Sequence, residues 1–281
     1  MSLRGATGHR LGSAAGPLAH DLAGRGADLV VLLHGIGGGR SIWGPQGSGS
    51  TEALAAIGCR VAAVDLPGYG DSVDRGPPTL APMVATVAEL IEALAPKRVA
   101  LVGHSMGGMV AQEFMATRPP GRVQALVLAC TSPAFGKPEG DWQARFVAER
   151  LAPLDAGEGM AGMAARLVPG MVSPQAAPGA RAAATAVMGR VPEATYRSAL
   201  QAIVAFDRRA ALPGIGVPTL CLAGEHDRTA PPEVMQRMAT RIPGAEYCCL
   251  SGAGHIANLE QPAAFHDAVG GFLRRHGFGS A

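Results

Sequence analysis

Arg98-Val99-Ala100-Leu101-Val102-Gly103-His104-Ser105-Met106-Gly107-Gly108 is the stretch whose reading decides the fold. Residues 99–102 form a short, continuously apolar run of buried-strand type. Met106, Met109, Val110 and Phe114 then recur at helical spacing until Arg118-Pro119-Pro120 stops the helix. Between strand and helix lies G-x-S-x-G, a forced turn that lifts Ser105 to its apex and leaves the Met106 amide free. Glycines flank the serine because a turn packed between strand and helix leaves little room for a Cβ. In a chain with 39 glycines the pattern alone decides little; the strand before it and the helix after it carry the reading.

Working outward, five further runs have the same buried-strand character: Leu29–Leu33, Arg60–Val64, Ala125–Ala129, 217–223 and Glu246–Leu250. Helices are predicted between them over 49–56, 79–94, Met106–Thr117, Pro232–Arg241 and Pro262–Arg275. Continuous apolar strands alternating with helices predict a parallel sheet covered on both faces. Residues 4–27 are expected to add one or two weak edge strands. The interval from 136 to 212 breaks the alternation, with helical stretches over 142–151, 159–167, 180–188 and 193–205. It is read as a helical lid inserted into a core made of 1–135 and 213–281. Met160, Met163, Met171 and Met188 are expected to serve mainly in packing that lid.

Composition narrows the function classes. Formal net charge is +2, charged residues are 16% of the chain, and no basic run occurs, which argues against nucleic acid or an anionic membrane surface as partner. Positive charge is nearly all arginine, since only Lys97 and Lys137 are lysines. No 18-residue apolar span and no secretory h-region are present, so a cytoplasmic protein without a membrane span is expected. The five cysteines lack metal-ligand spacing and are read as reduced residues, with no metal site.

Three segments complete the chemistry. Leu33-His34-Gly35-Ile36-Gly37-Gly38-Gly39 ends a strand in a loop whose Ile36 amide can meet an oxyanion together with that of Met106. It completes neither phosphate-loop pattern, so nucleotide binding is not expected. His34 and Asp65 are read as fixing their loops. Strand 217–223 runs into Gly224-Glu225-His226-Asp227, and strand Glu246–Leu250 into Ser251-Gly252-Ala253-Gly254-His255-Ile256. Ser105, Asp227 and His255 thus follow one another past the carboxyl ends of successive strands, the edge where open α/β sheets gather their sites. A histidine is needed to take the serine proton near neutral pH, and a buried carboxylate to hold its tautomer. Glu225 is the competing acid.

Through His34-Gly35, Asp65-Leu66-Pro67-Gly68-Tyr69-Gly70-Asp71-Ser72, the Ser105 elbow, Asp227 and His255, the chain resembles the α/β-hydrolases along nearly its whole length. The resemblance implies an α/β-hydrolase fold: a mostly parallel, doubly wound sheet with an inserted helical lid. It also implies a cofactor-free serine hydrolase with Ser105, His255 and Asp227 as catalytic triad and the Ile36 and Met106 amides as oxyanion hole. Ser41-Ile42-Trp43, Gly107-Gly108-Met109-Val110-Ala111-Gln112, Phe206-Asp207-Arg208-Arg209 and Asn258-Leu259-Glu260-Gln261-Pro262 are similar to the branch of 3-oxoadipate enol-lactonases and small esterases of aromatic catabolism. Haloalkane dehalogenases and epoxide hydrolases carry Asp where Ser105 stands. Ring-fission C–C hydrolases often carry Trp where Ile256 stands. The expectation is hydrolysis of a small ester or lactone. C–C cleavage of a ring-fission product and a non-catalytic ligand-binding scaffold are the alternatives. Gly37, Trp142, Arg145, Met163 and Ile256 are the candidate substrate pocket, with Arg145 a candidate partner for a substrate carboxylate.

Overall fold

The computed structural model describes residues 7–12, 16–77, 79–119, 121–136 and 141–279. Strands β1 (Thr7–Leu11), β2 (Leu18–Ala23) and β3 (Leu29–Leu33) lead through helix α1 (Ser50–Ala55) into β4 (Arg60–Val64). Helix α2 (Ala81–Leu94) precedes β5 (Val99–His104), α3 (Met106–Thr117) and β6 (Ala125–Ala129). Four helices follow without a strand: α4 (Trp142–Asp155), α5 (Gly159–Met171), α6 (Pro178–Met188) and α7 (Glu193–Val204). The chain ends with β7 (Thr219–Gly224), α8 (Pro232–Arg241), β8 (Glu246–Leu250), α9 (Ala257–Glu260) and α10 (Pro262–Arg275).

The eight strands form one sheet in the order β1-β2-β4-β3-β5-β6-β7-β8. β3 to β8 are parallel, while β2 pairs antiparallel with both β1 and β4. Every residue of β3, β5, β6 and β7 is buried, as strands covered on both faces must be. β8 closes the sheet as an edge and is only partly buried. The amino-terminal segment differs from its expected edge position. β1 is the edge, but β2 lies inside the sheet, and its buried Leu18, Ala19, His20 and Ala23 hold it there. β7 starts at Thr219 because Pro218 has no N–H to give the ladder.

Strand order reverses about β3, which has β4 on one side and β5 on the other. The loops after β3 and β5 therefore diverge, opening the crevice in which α/β sheets place ligands. The loop 34–39 and Ser105 stand at that crevice.

The segment between β6 and β7 leaves and returns at one point. Ala134 and Asp207 form an antiparallel bridge, the Phe135 amide donates to the Phe206 carbonyl (3.0 Å), and that of Arg208 to Pro133 (2.8 Å). Gln143 Nε2 donates to the carbonyls of Phe135 (2.7 Å) and Val204 (3.1 Å), joining both stalks to α4. Among the described residues no helix is long and apolar enough to cross a membrane.

Candidate active site

Ser105 stands between β5 and α3 with φ 52° and ψ −118°, a backbone state that non-glycine residues rarely adopt. Neighbouring contacts hold it there. Its amide donates to the Ala129 carbonyl (3.0 Å), and its own carbonyl accepts from Thr131 Oγ1 (2.7 Å) and from the Gly108 amide (2.9 Å). A Cβ at Gly103 would lie 2.4 Å from the Gly107 carbonyl oxygen, and one at Gly107 only 2.2 Å from that of Leu33. Packing between strand and helix thus demands both glycines.

Three side chains from three loops converge on this turn. Ser105 Oγ lies 3.0 Å from His255 Nε2, and His255 Nδ1 lies 2.8 Å from Asp227 Oδ2. An ionised carboxylate only accepts, so Nδ1 carries the hydrogen and Nε2 is left to accept from Ser105. His255 and Asp227 are both buried. Burial alone would raise the Asp227 carboxyl, but His255 beside it and the Ala230 and Thr229 amides outweigh that and hold it below the usual carboxylate range. Those two amides donate to Oδ1 at 2.9 and 2.7 Å, which orients the carboxylate.

Glu225, the competing acid, is exposed and turned away. Its carboxylate accepts from Ser251 Oγ and the Gly252 amide, both at 2.8 Å. His34 is structural: Leu66 N donates to its Nε2 (3.1 Å) and its Nδ1–H donates to Gly35 O (2.8 Å). Asp65 accepts from the Arg40 amide (2.7 Å) and pairs with the Arg40 guanidinium, fixing the loop after β4. Ile36 and Met106 line the same cavity as Ser105, and their amides have no acceptor among the described residues. No group of three or more His, Cys, Asp or Glu among the described residues is arranged to hold a metal ion.

Three residues whose roles the sequence reading missed, Glu260, Met171 and His104, position the histidine. Glu260 is buried at the end of α9, and its Oε1 accepts from the Ile256 amide (3.0 Å). Oε2 accepts from the amides of Gly254 (2.9 Å) and Ser173 (2.6 Å), so one carboxylate grips both neighbours of His255 and the end of the helical segment. The His255 amide itself donates to the Met171 carbonyl at the end of α5 (2.7 Å). His104, its pKa lowered by burial to about 3, stays neutral and donates through Nε2–H to the His255 carbonyl (2.7 Å). The only sequence signal for Glu260 was its place in the run 258–262.

A cavity of about 870 Å³ opens above Ser105 and His255. Its walls include Met109, Phe135, Phe146, Leu200 and Ile203, with Ile36 and Met106 beside the serine. Gly37 and Ile256 line a smaller cleft of about 30 Å³ that Ser105 and His255 also border, with Met188 packed against Gly37. Two pocket expectations are corrected. Met163 is fully buried within the helical segment and touches no open space. Arg145 is 64% exposed and pairs with Asp141 one turn away (3.1 Å), because its face of α4 points to solvent. Trp142 begins α4, and its side chain lies outside the described residues. Arg150, five residues beyond Arg145, is the α4 arginine that lines the cavity.

The profile of the Alpha/beta hydrolase family matches residues 30–268. RutD of Variovorax paradoxus, a candidate carbamate hydrolase, is 33% identical over 267 residues, covering 92% of this chain and 97% of that protein. The pimeloyl-[acyl-carrier protein] methyl ester esterase of Salmonella heidelberg is 31% identical, covering 88% of this chain and 94% of its own. The enol-lactonase structure from Burkholderia xenovorans LB400 superimposes with a TM-score of 0.83 at 29% identity, covering 95% of this chain and all of that one. Sheet order, elbow and sequence match agree: the chain is a hydrolase that belongs to the alpha/beta hydrolase family.

Proposed function

We propose that the chain hydrolyses a small carboxylic ester or lactone through a Ser105–His255–Asp227 triad. The observation that carries this reading is the unbroken relay from Ser105 Oγ to His255 (3.0 Å) to Asp227 (2.8 Å) beneath an apolar cavity. The esterase and the enol-lactonase among its relatives act on the same bond type.

His255 takes the Ser105 proton as Oγ attacks the carbonyl carbon, and Asp227 stabilises the imidazolium. The oxyanion lies against the Ile36 and Met106 amides, which have no acceptor to give up among the described residues; such donors contribute roughly 3–4 kcal/mol each. His255 then returns the proton to the departing alkoxide, leaving an acyl-enzyme on Ser105. Water, deprotonated by the same His255, releases the acid and regenerates the serine. Helices α4 to α7 serve as a lid that roofs the cavity and excludes bulky acyl groups.

A panel of chromogenic esters, lactones and ring-fission dienols, assayed on wild type and Ser105→Ala, tests the proposal. Ester or lactone turnover should fall by several orders of magnitude in Ser105→Ala, and a serine-reactive phosphonate should label Ser105 alone. Turnover of dienols with negligible lactone hydrolysis would transfer the assignment to C–C cleavage. Labelling elsewhere would remove Ser105 from the role.

A further inference from the structure

The large cavity has a one-sided charge. Arg150, Arg209, Arg228, Arg237 and Arg241 all contribute to its walls, and among the described residues no Asp or Glu does. The whole chain carries a formal charge of only +2, so this is a local concentration of cations. Arg209 is neutralised by Asp207 (2.5 Å). The other four make no ion pair among the described residues.

Arg150 differs from the exposed three. It projects from α4, half-buried, with its Nε donating to Tyr196 Oη (3.1 Å) and its guanidinium carbon 5.5 Å from the centre of the Phe146 ring. Tyr196 is fully buried, and that burial raises its pKa, so the phenol stays neutral and its hydroxyl keeps accepting. Phenol and ring together hold the guanidinium, and its two terminal nitrogens have no acceptor among the described residues. A fixed pair of parallel N–H donors matches the two oxygens of a carboxylate. An apolar wall strengthens that attraction, since the local dielectric is lower than that of water. Leaving a guanidinium partly desolvated and unpaired is unfavourable in the empty protein, and a ligand anion removes the penalty.

We propose that the substrate is an ester or lactone bearing a second group, a free carboxylate, and that Arg150 receives it in the cavity above Ser105. This rests on the esterase reading above and specifies its substrate class. Arg228, Arg237 and Arg241, on the loop after β7 and on α8, draw the anion toward the cavity mouth. Arg150 is thus a specificity-determining residue, and Tyr196 positions it.

The test compares monomethyl esters of short linear dicarboxylic acids with methyl esters of the matching monocarboxylic acids. Wild type should favour the charged series roughly 10- to 100-fold in kcat/KM, chiefly through KM. Arg150→Gln should bring that ratio close to one, and Arg150→Lys, which keeps the charge but not the fork, should leave an intermediate ratio. Tyr196→Phe should lower it as well, and Arg145→Gln, outside the cavity, should not change it. Added salt should reduce the wild-type ratio, and the triple variant Arg228→Gln, Arg237→Gln, Arg241→Gln should respond less to salt. Neutral esters turned over as well as charged ones, or a ratio unchanged in Arg150→Gln, would overturn this inference while leaving the esterase reading intact. Stronger inhibition by inorganic phosphate than by glutarate would overturn the choice of carboxylate. Absence of turnover across both series, with Ser105 unlabelled by a phosphonate, would overturn both.

Discussion

Asp227 and Glu225 are two residues apart on one loop, yet only Asp227 faces His255. The turn that returns the His226 amide to Ala253 (2.8 Å) and the Asp227 amide to Gly224 (3.1 Å) sends one carboxylate inward and leaves the other at the surface. Asp227→Asn should therefore lower kcat on an activated ester by about 10⁴, because the amide favours the wrong histidine tautomer. Glu225→Gln should change kcat less than about twofold, since a rim carboxylate bound to Ser251 and Gly252 contributes little to His255. Steady-state kinetics on both variants decide between them, and reversed outcomes would move the acid to Glu225. Spacing from the strand end could nominate both carboxylates, but only backbone hydrogen bonds choose one. Arg145 and Arg150 pose the same problem on a helix, where a shift of five residues exchanges a solvent face for a cavity wall.

Among the elements, α5 and α9 are coupled to the active centre more tightly than a removable roof would be. The segment 171–173 meets the histidine loop twice, through Met171 O to the His255 amide and through Ser173 N to Glu260. The sequence suggests an insertion separable from the triad, since all three nominated residues lie outside 136–212. The structure makes the insertion part of what holds His255. Replacing it with a Gly/Ser linker should abolish turnover even of small activated esters, where mere loss of a roof would spare them. A linker variant that stays folded by circular dichroism and keeps near-normal activated-ester turnover would refute this coupling. Glu260→Gln isolates the same effect without deletion. It replaces an acceptor of three amides with a side chain that accepts through one atom only, so kcat should fall about ten- to a hundredfold with KM little changed. The acid limb of its pH–rate profile should move with it, a response that general loss of stability would not produce.

Across the whole molecule, the carboxyl-terminal end is fastened to the start of the parallel sheet by one charged cluster. Asp28, buried just before β3, accepts from Arg98 Nε (3.0 Å) and Nη2 (2.6 Å) and from the Gly279 amide (3.1 Å), while Arg98 also donates to the Gly277 carbonyl. The Arg98 hydrogen bond, helped by the Gly279 amide and opposed by burial, holds the Asp28 carboxyl below its ordinary value of 3.8. A carboxyl depressed on folding stabilises above its unfolded pKa and loses that contribution as pH falls through the folded value. Asp28→Asn should thus reduce unfolding free energy by about 1–3 kcal/mol near neutral pH. The difference from wild type should shrink below pH 3.8. Denaturant unfolding at both ends of that range checks the sign; an equal loss at each would assign the effect to packing instead.

Continuous apolar runs, terminated by glycine loops and separated by amphipathic segments, are local properties of the chain. From them the sequence by itself determined the parallel core strands, the helices between them and the elbow at Ser105. Chain order past strand ends likewise made Ser105, Asp227 and His255 legible as a set, because in a parallel sheet those ends share one edge. Tertiary structure alone decided the rest. The interior place of β2, the exclusion of Met163 and Arg145 from the cavity, the grip of Glu260 on the histidine loop and the presentation of Arg150 by Tyr196 are contacts between distant parts of the chain. No local periodicity encodes which face of an inserted helix meets the core, since that is settled by what packs against it.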